Sequence, residues 1–149
     1  MQGMVSSLRV RKLVLSADLP PQSETTVHLK EFSFSVKSPL TPGDHILRLL
    51  NEGTQAHELT VIRLAEGAST QDFLTNYRPG GSPNSAGIEV GGLTGIDPGH
   101  EAYVHLDLQP GRYGLMCFLA DPITLSPHFA RGMWMDLDVK PLSVPSERP

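Results

Sequence analysis

Cysteine is almost absent from this chain. A single cysteine, Cys117, occurs among 149 residues, so an internal disulfide bond is impossible. The same scarcity excludes metal sites that need paired thiolates, such as those of zinc ribbons. A chain of this length can bury a hydrophobic core without such crosslinks. We therefore expect a fold of domain size whose stability comes from packing.

Long apolar runs and excess positive charge are also lacking. No run approaches the ~20 apolar residues that a membrane-spanning helix needs, so no membrane span is predicted. The first residues, MQGMVSSLRVRK, lack the apolar segment of a signal peptide. The net charge of −4 argues against nucleic acid as the main partner.

The sequence lacks the motifs of common enzymes. It contains neither Gly-x-Ser-x-Gly nor His-Glu-x-x-His, and no Gly-Lys-Ser/Thr follows the glycine-rich stretch RPGGSPNSAG. A nucleophilic dyad of Cys117 and His128 is conceivable, but no third group that would orient the histidine is apparent. We therefore predict that the protein is not an enzyme.

Turn residues and alternating apolar residues are abundant. The chain has 13 prolines and 14 glycines, and its short apolar runs have a period of two, which is typical of strands. This pattern predicts an all-β Greek-key sandwich or barrel with one short helix, Ser69–Tyr77, that Ser69 and Asp72 cap. The predicted strands are Leu8–Leu15, Thr26–Phe34, His45–Asn51, Glu58–Leu64, Glu101–Leu108, Arg112–Leu119 and Trp134–Val139.

The N-terminal residues match a later segment of the chain. QGMVSSLRV (Gln2–Val10) aligns without gaps on RGMWMDLDV (Arg131–Val139). The match is either chance or the trace of a preceding copy of the domain. We accordingly divide the chain into an N-terminal strand or extension, 1–22, and a main domain, 23–149. Strand Leu8–Leu15 is predicted to pair with an exposed sheet edge, either in this molecule or through self-association.

Four side chains with metal-binding atoms lie next to predicted strand ends. His57 precedes one strand, Cys117 ends another, and His128 and Met133 follow in the loop before the last strand. Two imidazoles and a thiolate in one plane, with a weak thioether on the axis, suit a copper ion that exchanges electrons. Each residue alone has an ordinary structural explanation. The order and placement of the four together predict a copper site.

In these motifs the sequence resembles the cupredoxins, the blue (type 1) copper domains. The family order of Cys, loop, His, four residues and Met is present. The turn before the first histidine resembles the family's Asn-x-Gly turn, with Asn51 and Gly53. The strand that ends in the cysteine matches Gly-x-Tyr-x-x-x-Cys, as Gly111, Tyr113 and Cys117. The resemblance covers roughly residues 25 to 140 in strand order.

The resemblance implies an electron-transfer protein with one type 1 copper, bound by Cys117, His57 and His128, with Met133 as the axial ligand. It also implies His128 as the more exposed histidine, a transient redox protein as partner, and a periplasmic or extracellular location. Apolar residues are expected to surround the site as a collar: Phe118, Pro127, Phe129 and Trp134. The alternative is a cupredoxin-like sandwich without copper that serves as a binding or assembly module.

Two features favour the alternative. Ten residues separate Cys117 from His128, which is long for the family. Glu58 follows the first histidine, where family members often have a small polar residue that joins the two ligand loops by hydrogen bonds. The other histidines form no His-x-His pair, so a multicopper enzyme is not predicted. These histidines are His28, His45, His100 and His105.

Overall fold

The computed structural model describes residues 21–141. In this part the chain forms eight strands, one α-helix and one 3-10 helix. The helix α1 spans Thr70–Asn76, and the 3-10 helix spans His128–Arg131. The strands are β1 (Thr25–Lys30), β2 (Ser33–Val36), β3 (Gly43–Asn51), β4 (His57–Leu64), β5 (Gly87–Ile96), β6 (Glu101–Leu108), β7 (Gly111–Met116) and β8 (Trp134–Val139).

The strands form two sheets of four, which pack face to face. The first sheet has the order β2-β1-β3-β6, and the second has the order β5-β4-β7-β8. Every pairing is antiparallel except that of β1 with β3. The chain changes sheet between β3 and β4, between β5 and β6, and between β6 and β7, as in a Greek key. The predicted all-β sandwich with one short helix is confirmed.

The main core lies between the two sheets because alternate residues of each strand point inward. Leu47 and Leu49 of β3 are buried there. Leu115 and Cys117 also belong to this core, whereas Met116 between them packs into a second apolar cluster. The segment that carries the cysteine is therefore covered on both faces.

Helix α1 is fixed by the cap that the sequence predicts. Ser69 Oγ accepts a hydrogen bond from the Asp72 amide at 3.2 Å, and Asp72 Oδ2 accepts one from the Ser69 amide at 2.8 Å. The Thr70 amide then donates to Asp136 of β8 at 2.9 Å. Phe73 packs into the second apolar cluster. The helix therefore covers the outer face of the second sheet.

The predicted strand Thr26–Phe34 is wrong in its middle. Glu31 and Phe32 form a two-residue turn between β1 and β2, with Lys30 paired to Ser33. The turn contains no glycine, proline or asparagine, so the usual sequence signal is missing. Instead, Phe32 itself adopts a positive φ of 64°.

Strand β5 was not predicted, because four of its ten residues are glycine and the alternation of side chains is lost. One of these glycines is required for steric reasons. Gly92 has φ 150°, and a Cβ atom there would lie 2.1 Å from the carbonyl oxygen of Leu59. The close approach lies between two register shifts in the pairing of β4 with β5. Glycine thus allows β5 to follow an irregular β4.

Some predictions fall outside residues 21–141 and stay predictions. They are the strand Leu8–Leu15, its pairing with a sheet edge, the repeat at Gln2–Val10, and the extension at 1–22 as a unit of its own. Among residues 21–141, no helix has the length and apolar character needed to cross a bilayer.

Candidate metal centre

The structure brings three of the four predicted ligand residues together. His57 is the first residue of β4, Cys117 follows β7, and His128 begins the 3-10 helix in the loop before β8. One ligand atom of each lies within 4.8 Å of the others, and no second group of this kind occurs within 21–141. We call this end of the sandwich the donor end.

The distances between the donor atoms suit a single small ion. His57 Nδ1 lies 3.2 Å from His128 Nδ1, and Cys117 Sγ lies 3.3 Å from His128 Nδ1. An ion bound at ~2.0–2.3 Å to imidazole nitrogen and thiolate sulfur would hold these atoms roughly 3.3–3.8 Å apart. The three side chains are at most 1 % exposed. The donor set therefore fits a metal in both atom type and spacing.

Met133 lies beside this group in the chain and in the core. It is fully buried and belongs to the same apolar cluster as Cys117. Its carbonyl oxygen accepts a hydrogen bond from the Cys117 amide at 3.2 Å, and its amide donates to the His128 carbonyl at 3.0 Å. Met135 packs against the same cluster, as expected for a core residue.

Asn51 shapes the loop that leads to His57. Its Oδ1 accepts a hydrogen bond from the Gly53 amide at 2.9 Å, and its Nδ2 donates to the carbonyls of Gln55 and Ile96 at 2.7 and 2.8 Å. Glycine at position 53 leaves room for His57, because a Cβ atom there would lie 2.8 Å from His57 Nε2. The predicted Asn-x-Gly turn therefore positions the histidine by close packing.

The long loop between Cys117 and His128 is closed by backbone hydrogen bonds. The His128 amide donates to the Leu119 carbonyl at 2.8 Å, and the Phe129 amide donates to the Cys117 carbonyl at 2.9 Å. Ala120 and Pro127 form an isolated β-bridge. The extra length of the loop thus lies beyond this bridge and does not separate the two donors.

Glu58 joins the two ligand segments, although its size departs from the family pattern. Its amide donates to Cys117 Sγ at 3.4 Å. Its carboxylate accepts hydrogen bonds from the Phe118 amide at 2.6 Å and from the Thr94 hydroxyl at 2.7 Å. The side chain is buried between the segments. Glu58 therefore connects the two segments by hydrogen bonds from both its backbone and its side chain.

His128 is more exposed than His57, as expected, but only by a margin that leaves both histidines buried. It is 1 % exposed, close to the 0 % of His57. Its Nε2 lies 3.1 Å from Gln55 Oε1, and the Phe32 ring packs edge-on against its imidazole. The reason for the burial of His128 is the β1–β2 turn, which sequence analysis treated as the interior of a strand.

The Nε2 atom of His57 has a different environment from the Nε2 atom of His128. His57 Nε2 is the one buried side-chain nitrogen or oxygen of 21–141 that makes no hydrogen bond. The nearest carboxylate, Glu31 Oε1, lies 3.7 Å away. Burial opposes the charge on Glu31, but hydrogen bonds from the Thr54 and Gln55 amides outweigh it and lower the pKa of Glu31 to about 2. An ionised carboxylate therefore faces His57.

Burial makes the three donors neutral. It raises the pKa of the Cys117 thiol to about 11 and lowers the pKa of His57 and His128 below the usual imidazole value. The Nε2 of His128 faces an amide oxygen, so this nitrogen carries the proton and Nδ1 offers its lone pair to the group. Both imidazoles are thus ready to bind at neutral pH, whereas the thiol must lose its proton.

Two residues of the expected apolar collar, Phe118 and Trp134, pack mainly away from the donors. The Phe118 ring contacts the Phe129 ring edge to face and the Tyr77 ring at a tilt, at centroid distances of 5.2 and 4.6 Å. Phe118 and Trp134 pack against the second apolar cluster, on the outer side of the second sheet. The phenyl ring that contacts a candidate ligand is Phe32.

Sequence analysis missed four residues that surround the donors: Glu31, Phe32, Gln55 and Asp121. Only Asp121 had a local signal, because an Asp-Pro pair favours a turn that the aspartate stabilises. Its carboxylate accepts hydrogen bonds from the Ile123 and Thr124 amides. The other three act on histidines that are distant in the chain.

Comparison with known proteins shows the fold. No protein-family model matches the sequence, and no curated protein is significantly similar to it. Dithionite-reduced auracyanin from the photosynthetic bacterium Roseiflexus castenholzii gives a TM-score of 0.53 at 18 % identity, covering 80 % of this chain and 100 % of that one. Auracyanin B gives 0.50 at 15 % identity, covering 85 % and 96 %.

A third structure, auracyanin A, is described as a "blue" copper protein from the green thermophilic photosynthetic bacterium Chloroflexus aurantiacus. It gives a TM-score of 0.47 at 15 % identity, covering 77 % of this chain and 99 % of that one, and carries no weight here. The first two likenesses establish the fold alone. At one end of this fold lies the buried group of His57, Cys117 and His128, with Met133 beside it in the core.

Proposed function

We propose that this protein transfers electrons through one type 1 copper ion, bound by His57, Cys117 and His128 with Met133 as the weak axial ligand. The convergence of two Nδ1 atoms and one thiol in a buried cluster carries this proposal. When bound, copper supplies a one-electron couple between Cu(I) and Cu(II). Imidazole and thiolate ligands serve both oxidation states.

The role of the chain is to hold the donors in one arrangement. Cys117 and His128 are connected through the backbone of a closed loop, and Glu58 joins this loop to the His57 strand. Rigid positioning of ligands by hydrogen bonds around them is a general means of tuning a metal site. Because the donors are buried, a substrate has no direct access to them. This favours electron transfer over enzymatic catalysis.

The partner that we propose is a redox protein that binds transiently, since electron-transfer interfaces are small. The protein's net charge of −4 suits a partner with a basic docking face. A periplasmic or extracellular location follows by analogy with the family only. Neither nucleic acid nor self-association is needed for this function.

Copper titration of metal-free protein tests the proposal. One equivalent of Cu(II) should produce a strong absorption near ~600 nm, because thiolate–copper charge transfer at such a site absorbs there. Cys117→Ser should remove the band and leave the domain folded. Met133→Leu should keep the band and raise the potential, whereas the control Met135→Leu should change it little.

Failure of wild-type protein to develop the band would disprove the copper function. It would instead support the copper-free binding or assembly module. The two features that favoured that alternative in the sequence are weaker in the structure, because the long loop still returns His128 to Cys117 and Glu58 joins the ligand segments.

A further inference from the structure

One hairpin turn covers both histidines at the donor end. The turn between β1 and β2 consists of Glu31 and Phe32. Glu31 Oε1 lies 3.7 Å from His57 Nε2. The Phe32 and His128 rings meet edge to face, with centroids 5.2 Å apart and an interplanar angle of 71°. The first sheet therefore closes the site, whereas the second sheet and its last loop carry the donors.

The turn holds Phe32 in an unfavourable backbone conformation. Its φ is 64°, and in 21–141 only Phe32 and Leu125 combine a positive φ with a side chain. In this region Cβ crowds the neighbouring carbonyl, so glycine would form the turn more easily. Such strain persists where the surroundings hold it, and it is concentrated at functional sites. The backbone conformation of this turn brings the ring onto His128.

Arg131 covers the Phe32 ring in turn. Its guanidinium carbon lies 4.0 Å from the ring centroid. Arg131 Nη1 is 2.7 Å from Asp121 Oδ2, so an ion pair fixes the guanidinium. Phe32 is partly buried and Arg131 is exposed. The side chains thus form a continuous series of contacts from the buried His128 through Phe32 to Arg131 at the surface.

We propose that Phe32 is a positioning residue that seals the donor end at His128. Its ring keeps water and small ligands from the imidazole, and the stacked Phe32 and Arg131 form the outermost contact above that histidine. His128 is 1 % exposed although its loop carries Ile123 at 87 % exposure. The sealing of His128 does not depend on the proposed function, which supplies only a reason for it. A metal site from which water is excluded also excludes competing ligands.

Histidine modification of metal-free protein tests the sealing. Diethyl pyrocarbonate acylates accessible imidazoles, and peptide mass spectrometry gives a rate for each histidine. In wild-type protein, His128 should react at least ~10-fold more slowly than His105, whose side chain is 66 % exposed, because reaction then requires local opening. Phe32→Gly should raise the His128 rate at least ~10-fold and leave His57 unchanged, since glycine also tolerates the turn.

Leu125→Gly is the matched control. It removes the other side chain with a positive φ, from a residue that is 76 % exposed, and should leave the His128 rate unchanged. Phe32→Asn serves if the glycine variant does not fold, because asparagine also tolerates this backbone region. Circular dichroism and the unfolding midpoint establish that each variant is folded.

Three results would overturn the proposal. His128 could react as fast as His105 in the wild type, keep its rate in a folded Phe32 variant, or gain no more than His57 does. These rates are measured without metal. A chain that failed to bind copper would therefore disprove the proposed function and leave the test of Phe32 intact.

Discussion

At the scale of single residues, the carboxylate of Glu58 joins segments that are far apart in the chain. It accepts a hydrogen bond from the Phe118 amide on one side and from the Thr94 hydroxyl on the other. The amide of Glu58 itself donates to the Cys117 sulfur. One buried residue thus orients the thiol and fixes the strand that begins with His57.

We expect Glu58→Ala to lower the free energy of unfolding by about 2–4 kcal/mol, because two hydrogen bonds to a charged carboxylate are lost. Glu58→Gln should cost about 1–2 kcal/mol, since its amide oxygen can still accept from Phe118. Urea denaturation of metal-free protein measures both values. The exposed Glu66→Ala is the control and should stay within ~0.5 kcal/mol of wild type. A similarly small effect for Glu58→Ala would contradict this role.

At the scale of elements, the loop between β7 and β8 is organised around Asp121. The buried carboxylate accepts hydrogen bonds from the Ile123 and Thr124 amides, from Gln55 Nε2 and from Arg131. The Asp121 amide and carbonyl also bond within the loop. A loop with such an internal centre can be long and still hold its ends together.

Asp121 should make stability depend on pH. The hydrogen bond from the Thr124 amide, followed by that from Gln55, lowers the pKa of Asp121 below its ordinary range. An aspartate with a lowered folded-state pKa stabilises the protein above its unfolded pKa of ~3.9, and this stabilisation is lost as the pH falls toward the folded value.

Asp121→Asn should therefore be less stable than wild type at pH 7, and the difference should shrink below pH ~4. Thermal unfolding midpoints from pH 7 to pH 2 measure the difference. Asp97→Asn, at an exposed aspartate, is the control. A difference between Asp121→Asn and wild type that stays constant over this range would contradict the role of the charge.

At the scale of the whole molecule, the donor end depends on both sheets. The second sheet and its last loop supply His57, Cys117 and His128, and the β1–β2 turn of the first sheet covers the two histidines. The unfolded chain has no such site. A metal that binds at the donor end therefore binds the folded protein and opposes unfolding as a whole.

Copper should raise the unfolding temperature of the wild-type protein. A free metal concentration of ~1,000 times Kd adds about 4 kcal/mol, which corresponds to a gain of roughly 8–16 °C for a protein of this size. Calorimetry of metal-free and copper-loaded protein measures the gain. Cys117→Ser should lose most of it, and a gain equal to that of wild type would show that copper binds elsewhere.

The sequence alone determined the features that depend on neighbours in the chain. Alternating apolar residues predicted most strands of the sandwich, and Ser69 with Asp72 predicted the helix cap that forms. The order of His57, Cys117 and His128 next to strand ends predicted three side chains that the fold brings together. These features follow from local periodicity and turn chemistry, which a sequence displays directly.

Tertiary structure decided what depends on contacts between distant segments. Strand β5 forms because β4 offers it a pairing edge, although glycines weaken its own tendency to be extended. Phe32 takes a positive φ because packing against His128 and Arg131 holds it there. The burial of His128 and the inward direction of Glu58 arise in the same way. In each case packing and hydrogen bonds between distant segments outweigh the conformational preference of the local sequence. Such contacts cannot be predicted from the order of residues in the chain.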